Sequence, residues 1–141
     1  MLKKITLIVV VAVVVFVVMQ LVPYGKDHTN PPVVSEPKWD SAETRAIAKK
    51  ACFDCHSNET VWPGYTGIAP GSWLIYKDVV EGRDEFNFSN WQAQPKKYKK
   101  LAEVINEGVM PPPQYLLLHP DARLSASEKQ QFVAGLEKSV P

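Results

Sequence analysis

The sequence predicts an all-α protein: a small helical domain preceded by one N-terminal transmembrane helix. Three observations carry this. An almost wholly apolar run of about 18 residues opens the chain. Behind it, apolar residues recur at helical spacing between capping residues and glycines. No stretch alternates apolar and polar residues as a half-buried strand would.

The chain has 141 residues. Setting the N-terminal run aside leaves roughly 100 residues, enough for one small domain and not two. A core of that size is modest and gains from a staple such as a bound cofactor. Sixteen basic and 15 acidic residues give a net charge of +1, which offers nothing for nucleic acid to bind. Twelve prolines against seven glycines imply many turns and few long elements. The two cysteines lie inside one five-residue segment, so they cannot form a disulfide framework.

Residues 1–24 form the first element. Ile5 to Val22 read ITLIVVVAVVVFVVMQLV, interrupted only by Thr6 and Gln20. As a helix, about 18 residues span roughly 27 Å, close to the hydrocarbon thickness of a bilayer. Lys3 and Lys4 precede the run and hold the N-terminus on the cytoplasmic side. A cleaved signal peptide is the rival reading. It wants small residues after the run, and Val18 to Tyr24 show no such pattern, so an uncleaved anchor is preferred. Both place the domain outside the cytoplasm.

Residues 25–38 carry Pro31, Pro32 and Pro37 among polar residues and read as a semi-extended tether. The folded domain is expected over residues 39–141. Asp40 or Ser41 caps its first helix, with Ala42, Ala46, Ile47 and Ala51 on one face. Ser57 to Gly71 form a loop. Ser72 caps a second helix through Arg83, whose apolar side is Trp73, Leu74, Tyr76, Val79 and Val80. A loop with Phe86, Phe88 and Trp91 follows. Pro95 opens a third helix ending at Gly108, with Tyr98, Leu101, Ala102 and Ile105 inward. Val109 to Pro113 cannot be helical, and Tyr115 to His119 form a short helical turn. Ser125 and Glu128 make a capping box for a last helix to about Lys138, with Phe132, Val133 and Leu136 facing inward.

The first helix delivers into Cys52-Phe53-Asp54-Cys55-His56. Two thiols three residues apart followed by an imidazole form the C-x-x-C-H pattern of covalent haem attachment. Each thiol adds across one vinyl group, and the histidine offers its ring to the iron. A thioredoxin-like pair would want an α/β sheet around it. A structural zinc site would want four ligands at other spacings. A plain disulfide would leave His56 without a role. The iron's opposite position suits a methionine late in the chain. Met110, after Gly108 and before three prolines that stiffen its loop, is the expected distal ligand. A core role for Met110 and ligation by His119 are the alternatives.

With those residues in view, the chain resembles the haem-binding domain family of bacterial membrane-anchored proteins, a branch of the small c-type cytochromes. The matching stretches are CFDCHSNETVWPGY, IAPGSWLIYKDVVEGRDEFNFSNW, EVINEGVMPPPQYLLLHPDARLS and EKQQFVAGL, which together cover nearly all of Ala51 to Leu136. The resemblance implies a cytochrome c-like helical domain around one haem c. Cys52 and Cys55 are its covalent attachments, His56 the proximal ligand and Met110 the distal one.

The expected function is a monohaem electron carrier, not an enzyme. It would sit single-pass in the inner (cytoplasmic) membrane with the haem domain on the periplasmic side, and serve redox partner proteins. One alternative is a small-ligand haem protein, peroxidase-like or a sensor, using His119 or Gln114. The other is a haem subunit of a larger membrane redox complex. Ser57 to Thr60 reads as a solvated loop, or else as a hydrogen-bonding partner of a propionate or of His56. Trp62 and Trp73 read as core, or else as rings stacked on the porphyrin, which Trp91, Phe86 and Tyr115 could also wall. Lys96, Lys97, Lys99 and Lys100 read as a solvated helix face, or else as a docking patch. His28 is expected in solvent.

Overall fold

The computed structural model describes residues 1–93 and 98–139. Among them are seven α-helices, three short 3-10 turns and no strand. The helices are α1 (Leu2–Met19), α2 (Ala42–Ala51), α3 (Phe53–His56), α4 (Gly71–Glu85), α5 (Tyr98–Asn106), α6 (Pro113–Leu118) and α7 (Ala126–Ser139). The all-helical expectation holds. Pro95, Lys96 and Lys97 lie outside the described residues, as do the side chains of Tyr98 and Lys99.

The chain divides into two compact units, each made of two segments. Met1–Thr29 joins Trp62–Val80, and Asn30–Val61 joins Glu81–Pro141.

In the first unit, α1 has 18 residues and none is buried, so by length and composition it could cross a membrane. Gln20 ends it. The Gln20 side chain donates through Nε2 to the Ala69 carbonyl at 2.9 Å and accepts through Oε1 from the Ala69 amide at 3.0 Å. Lys26 Nζ donates to the Gln20 carbonyl, filling an acceptor that a helix end leaves open. The chain then turns at Gly25, whose φ is 77°. A Cβ there would stand 2.6 Å from the Ser72 carbonyl oxygen, so the turn admits only glycine. Tyr24 meets Tyr76 edge-on at 5.3 Å. His28, expected in solvent, is half-buried and stacks on Trp62 at 4.3 Å.

The expected apolar side of α4 is only partly covered. Val79 is buried, but Leu74 is 52 % exposed and Val80 is 38 % exposed. Helical spacing marks a face without saying whether anything packs on it.

The second unit holds the main core. Ile47, Ala48 and Ala51 of α2 pack with Leu101 and Ile105 of α5 and with Phe132 and Leu136 of α7. Phe53, Phe88 and Trp91 form an aromatic series with ring centroids 5.5 and 5.6 Å apart. Phe88 and Phe132 are fully buried, and each such side chain contributes ~1.5–3 kcal/mol by leaving water. The inward face of α2 is Thr44, Ile47, Ala48 and Ala51, whereas Ala42 and Ala46 are exposed. Thr44 can turn inward because its hydroxyl meets Ser41 Oγ at 3.0 Å. Ser41 also caps the helix by accepting from the Thr44 amide.

Residues 30–37, read as part of a tether, bond along this second unit. The Val34 and Ser35 amides donate to the Ser89 carbonyl at 2.8 and 3.1 Å, and the Trp91 amide donates to the Ser35 carbonyl at 3.1 Å. Glu36 takes a two-pronged bond from Arg45, both arms 2.7 Å, and a third from Trp39 Nε1 at 2.7 Å. The Arg45 guanidinium holds the Glu36 carboxyl below its usual range.

Candidate functional site

The cysteine segment begins where α2 stops. Cys52 leaves helical geometry, with φ −127° and ψ −31°, and a single turn, α3, restarts at Phe53. The His56 amide donates back to the Cys52 carbonyl at 2.8 Å, which closes that turn around the two thiols. Phe53 anchors it: the ring is 2 % exposed and lies under Arg45, whose guanidinium carbon is 5.4 Å from its centroid. With Phe53 inward, Cys52 and Cys55 are left half-buried and are not joined in a disulfide. Burial, with Cys55 nearby, pushes the Cys52 thiol up to about 12, so it is protonated at neutral pH.

His56 is 8 % exposed. Its Nδ1 lies 2.7 Å from the Gly82 carbonyl oxygen and 3.2 Å from that of Phe86. Both oxygens can only accept, so Nδ1 carries the proton and the lone pair sits on Nε2. The ring stacks on Phe86 at 4.1 Å and 8°. Burial lowers its pKa, against the opposing pull of the two carbonyl bonds, so the ring stays neutral. A buried imidazole fixed at one nitrogen, with its lone pair on the other, can serve as a metal ligand oriented by an outer hydrogen bond. Gly82 also approaches the motif: a Cβ there would lie 2.5 Å from the Cys55 carbonyl oxygen. Glycine at that place lets α4 bring its carbonyl to the His56 ring.

The loop after His56 is not solvated. Ser57, Asn58 and Thr60 are all buried. Arg83 donates through Nε to the Ser57 carbonyl at 2.8 Å and through one terminal nitrogen to Thr60 Oγ1 at 2.8 Å. Asn87 Nδ2 donates to Asn58 Oδ1 at 2.8 Å, and the Phe88 amide donates to the His56 carbonyl at 2.8 Å. The His56 ring takes its bonds from α4 and Phe86, so the loop supports the motif through its backbone instead.

Asp54, inside the motif, ties in the later part of the chain. Its Oδ1 accepts from the Val61 amide at 3.0 Å. Its Oδ2 accepts from the Tyr115 hydroxyl at 2.7 Å. Tyr115 belongs to α6, five residues beyond Met110, so this bond tethers the Met110 loop to the cysteine segment. Met110 is half-buried, and its amide donates to the Val104 carbonyl at 3.2 Å. His119 is half-buried and stacks on Tyr115 at 4.2 Å and 6°. Gln114 is exposed.

Sequence reasoning missed Asp54, Gly82 and Arg83, and the bond that Tyr115 makes to Asp54. A carboxylate between the two cysteines was the one local sign that something must reach it. Among the described residues, no three or more His, Cys, Asp or Glu side chains stand together as a metal-ion cluster. The four-ligand zinc arrangement therefore has no counterpart there.

The donor set is two thiols, not joined in a disulfide, on one turn beside a neutral imidazole with its lone pair on Nε2. That chemistry fits a haem, which Cys52, Cys55 and His56 could hold. The fold and site together define a helical protein built around a C-x-x-C-H turn. The pattern of the haem-binding domain family matches residues 14–138, and the chain belongs to that family. No curated protein and no solved structure matches the chain.

Proposed function

We propose that this haem protein is a monohaem c-type cytochrome that carries single electrons at the periplasmic face of the inner membrane. Cys52 and Cys55 hold one haem covalently, His56 is the proximal ligand and Met110 the distal one. The observation that carries the reading is the His56 ring. Its Nδ1 proton is shared by two carbonyls, which leaves Nε2 to donate in a segment whose two cysteines are not joined in a disulfide.

When bound, the haem supplies one-electron chemistry at its iron. The protein's part is to hold and shield. Gly82 and Phe86 fix the His56 ring and raise its basicity as a ligand. Phe53 and Arg83 keep the turn and the following loop rigid. The Tyr115–Asp54 bond keeps the Met110 loop near the motif. With His56 and Met110 holding the iron, the methionine thioether would raise the reduction potential, which suits transfer between redox partner proteins. An uncleaved α1 retains the domain at the membrane.

The test is the mass and spectrum of the full chain matured with haem. One haem should survive acid extraction and be released when Cys52 and Cys55 are both changed to alanine. The oxidised protein should show the weak far-red band of thioether-ligated ferric haem. Met110→Ala should abolish that band and His119→Ala should keep it.

His119 supports a second reading. Stacked on Tyr115, it stands one residue away from contact with the motif's Asp54. A polar group there would suit a small-ligand haem protein, peroxidase-like or a sensor, with a displaceable sixth ligand. Fast cyanide or carbon monoxide binding without the far-red band would favour it.

A further inference from the structure

We propose that the first unit lies in the membrane–water interface, with the loop before α4 and the opening turns of that helix pressed into the lipid beside the end of α1. The proposal rests on α1 being a retained transmembrane anchor.

The depth of Gln20 carries the argument. The apolar run continues past it through Leu21 and Val22, which are 77 % and 39 % exposed. Gln20 therefore sits at the level of the last apolar turn and not beyond it. A primary amide at that depth must find hydrogen-bond partners in the protein. It finds three: the Phe16 carbonyl at 3.1 Å, the Ala69 carbonyl at 2.9 Å and the Ala69 amide at 3.0 Å. A two-way bond of that length places Ala69 within one side chain of the anchor's end. The chain leaving α1 has no room for a stand-off there either. Gly25 lies against the Ser72 backbone and Tyr24 against Tyr76.

The surface around Ala69 has the composition such a place requires. Ile68 is 51 % exposed and Leu74 is 52 % exposed, one and five residues from the anchored alanine. Tyr24 and Tyr65 are exposed nearby; aromatic side chains with a polar tip favour the headgroup level. Lys26 directs its ammonium to the carbonyl at the end of α1, as a snorkelling lysine does at a helix end. In water, Ile68 and Leu74 gain nothing from exposure. Beside lipid they extend the apolar surface of α1 sideways.

The test uses the full haem-matured chain in phosphatidylcholine nanodiscs, with a nitroxide attached at Ile68→Cys, Leu74→Cys or Val11→Cys. Collisions with oxygen, which concentrates in lipid, are compared with collisions with a water-soluble nickel chelate. Helix content by circular dichroism confirms that each variant is folded. The ratio of oxygen to nickel collisions should exceed unity at Ile68 and Leu74, as at Val11. A ratio below unity at Ile68 and Leu74 with Val11 still above it overturns the proposal and leaves the anchor intact. A ratio below unity at Val11 overturns the anchor itself. Labels at Ile68 and Leu74 shielded from both reagents, with two chains per disc, would mean that a second copy covers the patch, and would equally overturn it.

Discussion

At His56 the proton sits on Nδ1 between two backbone carbonyls, and burial keeps the ring neutral. A free histidine is partly protonated near neutral pH, whereas this one keeps its Nε2 lone pair. Asp54 plays a different part. It offers one oxygen to the Val61 amide and the other to Tyr115 across 61 residues of chain. A hydroxyl donating to a carboxylate is among the stronger hydrogen bonds. Tyr115→Phe is expected to cost ~1–3 kcal/mol, seen as a lower denaturant midpoint. With Met110 as the proposed distal ligand, it should also speed cyanide binding to the oxidised protein, because the Met110 loop loses its tie to the motif. A binding rate equal to that of the unaltered chain would show that the loop keeps its place without the bond.

Among the elements, α4 and α7 make the clearest cases. Residue 82 of α4 must be glycine, because a Cβ would stand 2.5 Å from one backbone atom of Cys55 and 3.1 Å from another. Neither is a flexible side-chain end. Gly82→Ala should therefore push α4 off the cysteine turn at a cost of ~1–3 kcal/mol. It should also lengthen the His56 Nδ1 bond and, with His56 as the proposed iron ligand, shift the haem absorption. The helix α7 begins with the capping box expected from the sequence. Ser125 Oγ accepts from the Glu128 amide at 3.2 Å, and Glu128 Oε2 accepts from the Ser125 amide at 2.8 Å. Glu128 also meets Lys50 of α2. Those partners lower its carboxyl from 4.5 to about 2 in the folded chain. A group that titrates lower when folded stabilises the fold fully above its unfolded pKa and loses that contribution as the pH falls to its folded value. The melting temperature of the unaltered chain should thus exceed that of Glu128→Gln above about pH 4.5, with the gap closing towards about pH 2. The gap should be small and should shrink with added salt, because the pair is open to solvent. A gap that persists at pH 2 would assign the effect to something other than this carboxylate.

For the whole molecule, the balance of core and cofactor matters most. The second unit draws its core from a dozen buried side chains, a modest number for a domain that carries a large prosthetic group. On the proposed reading, a covalently held haem would add packing contacts that only the folded chain makes. Cys52→Ala/Cys55→Ala, grown without haem attachment, should melt well below the matured protein. Even ~2 kcal/mol of support corresponds to roughly 8–16 °C for a domain near this size. Equal melting temperatures would show that the helices are stable without it.

What the sequence determined by itself is what depends on near neighbours along the chain. The apolar run, the helical class, the C-x-x-C-H turn and the Ser125–Glu128 capping box each rest on residues within a few positions of one another. Spacing alone decides those. Family membership was legible too, because several such stretches occur in order. What only the tertiary structure decided is which distant groups meet. The proton of His56 goes to the carbonyls of Gly82 and Phe86, 26 and 30 residues away, and a backbone carbonyl leaves no mark in a sequence. Thr44 turned inward while Ala46 turned out, because a hydroxyl with a partner can be buried and a methyl group at the edge of the face need not be. The Ser57 to Thr60 loop looked solvated by composition. Arg83, Asn87 and Ser89 help to bury it by supplying bonds that water would otherwise make. Polar partners chosen across the fold override local polarity, and that choice is made by packing and not by spacing.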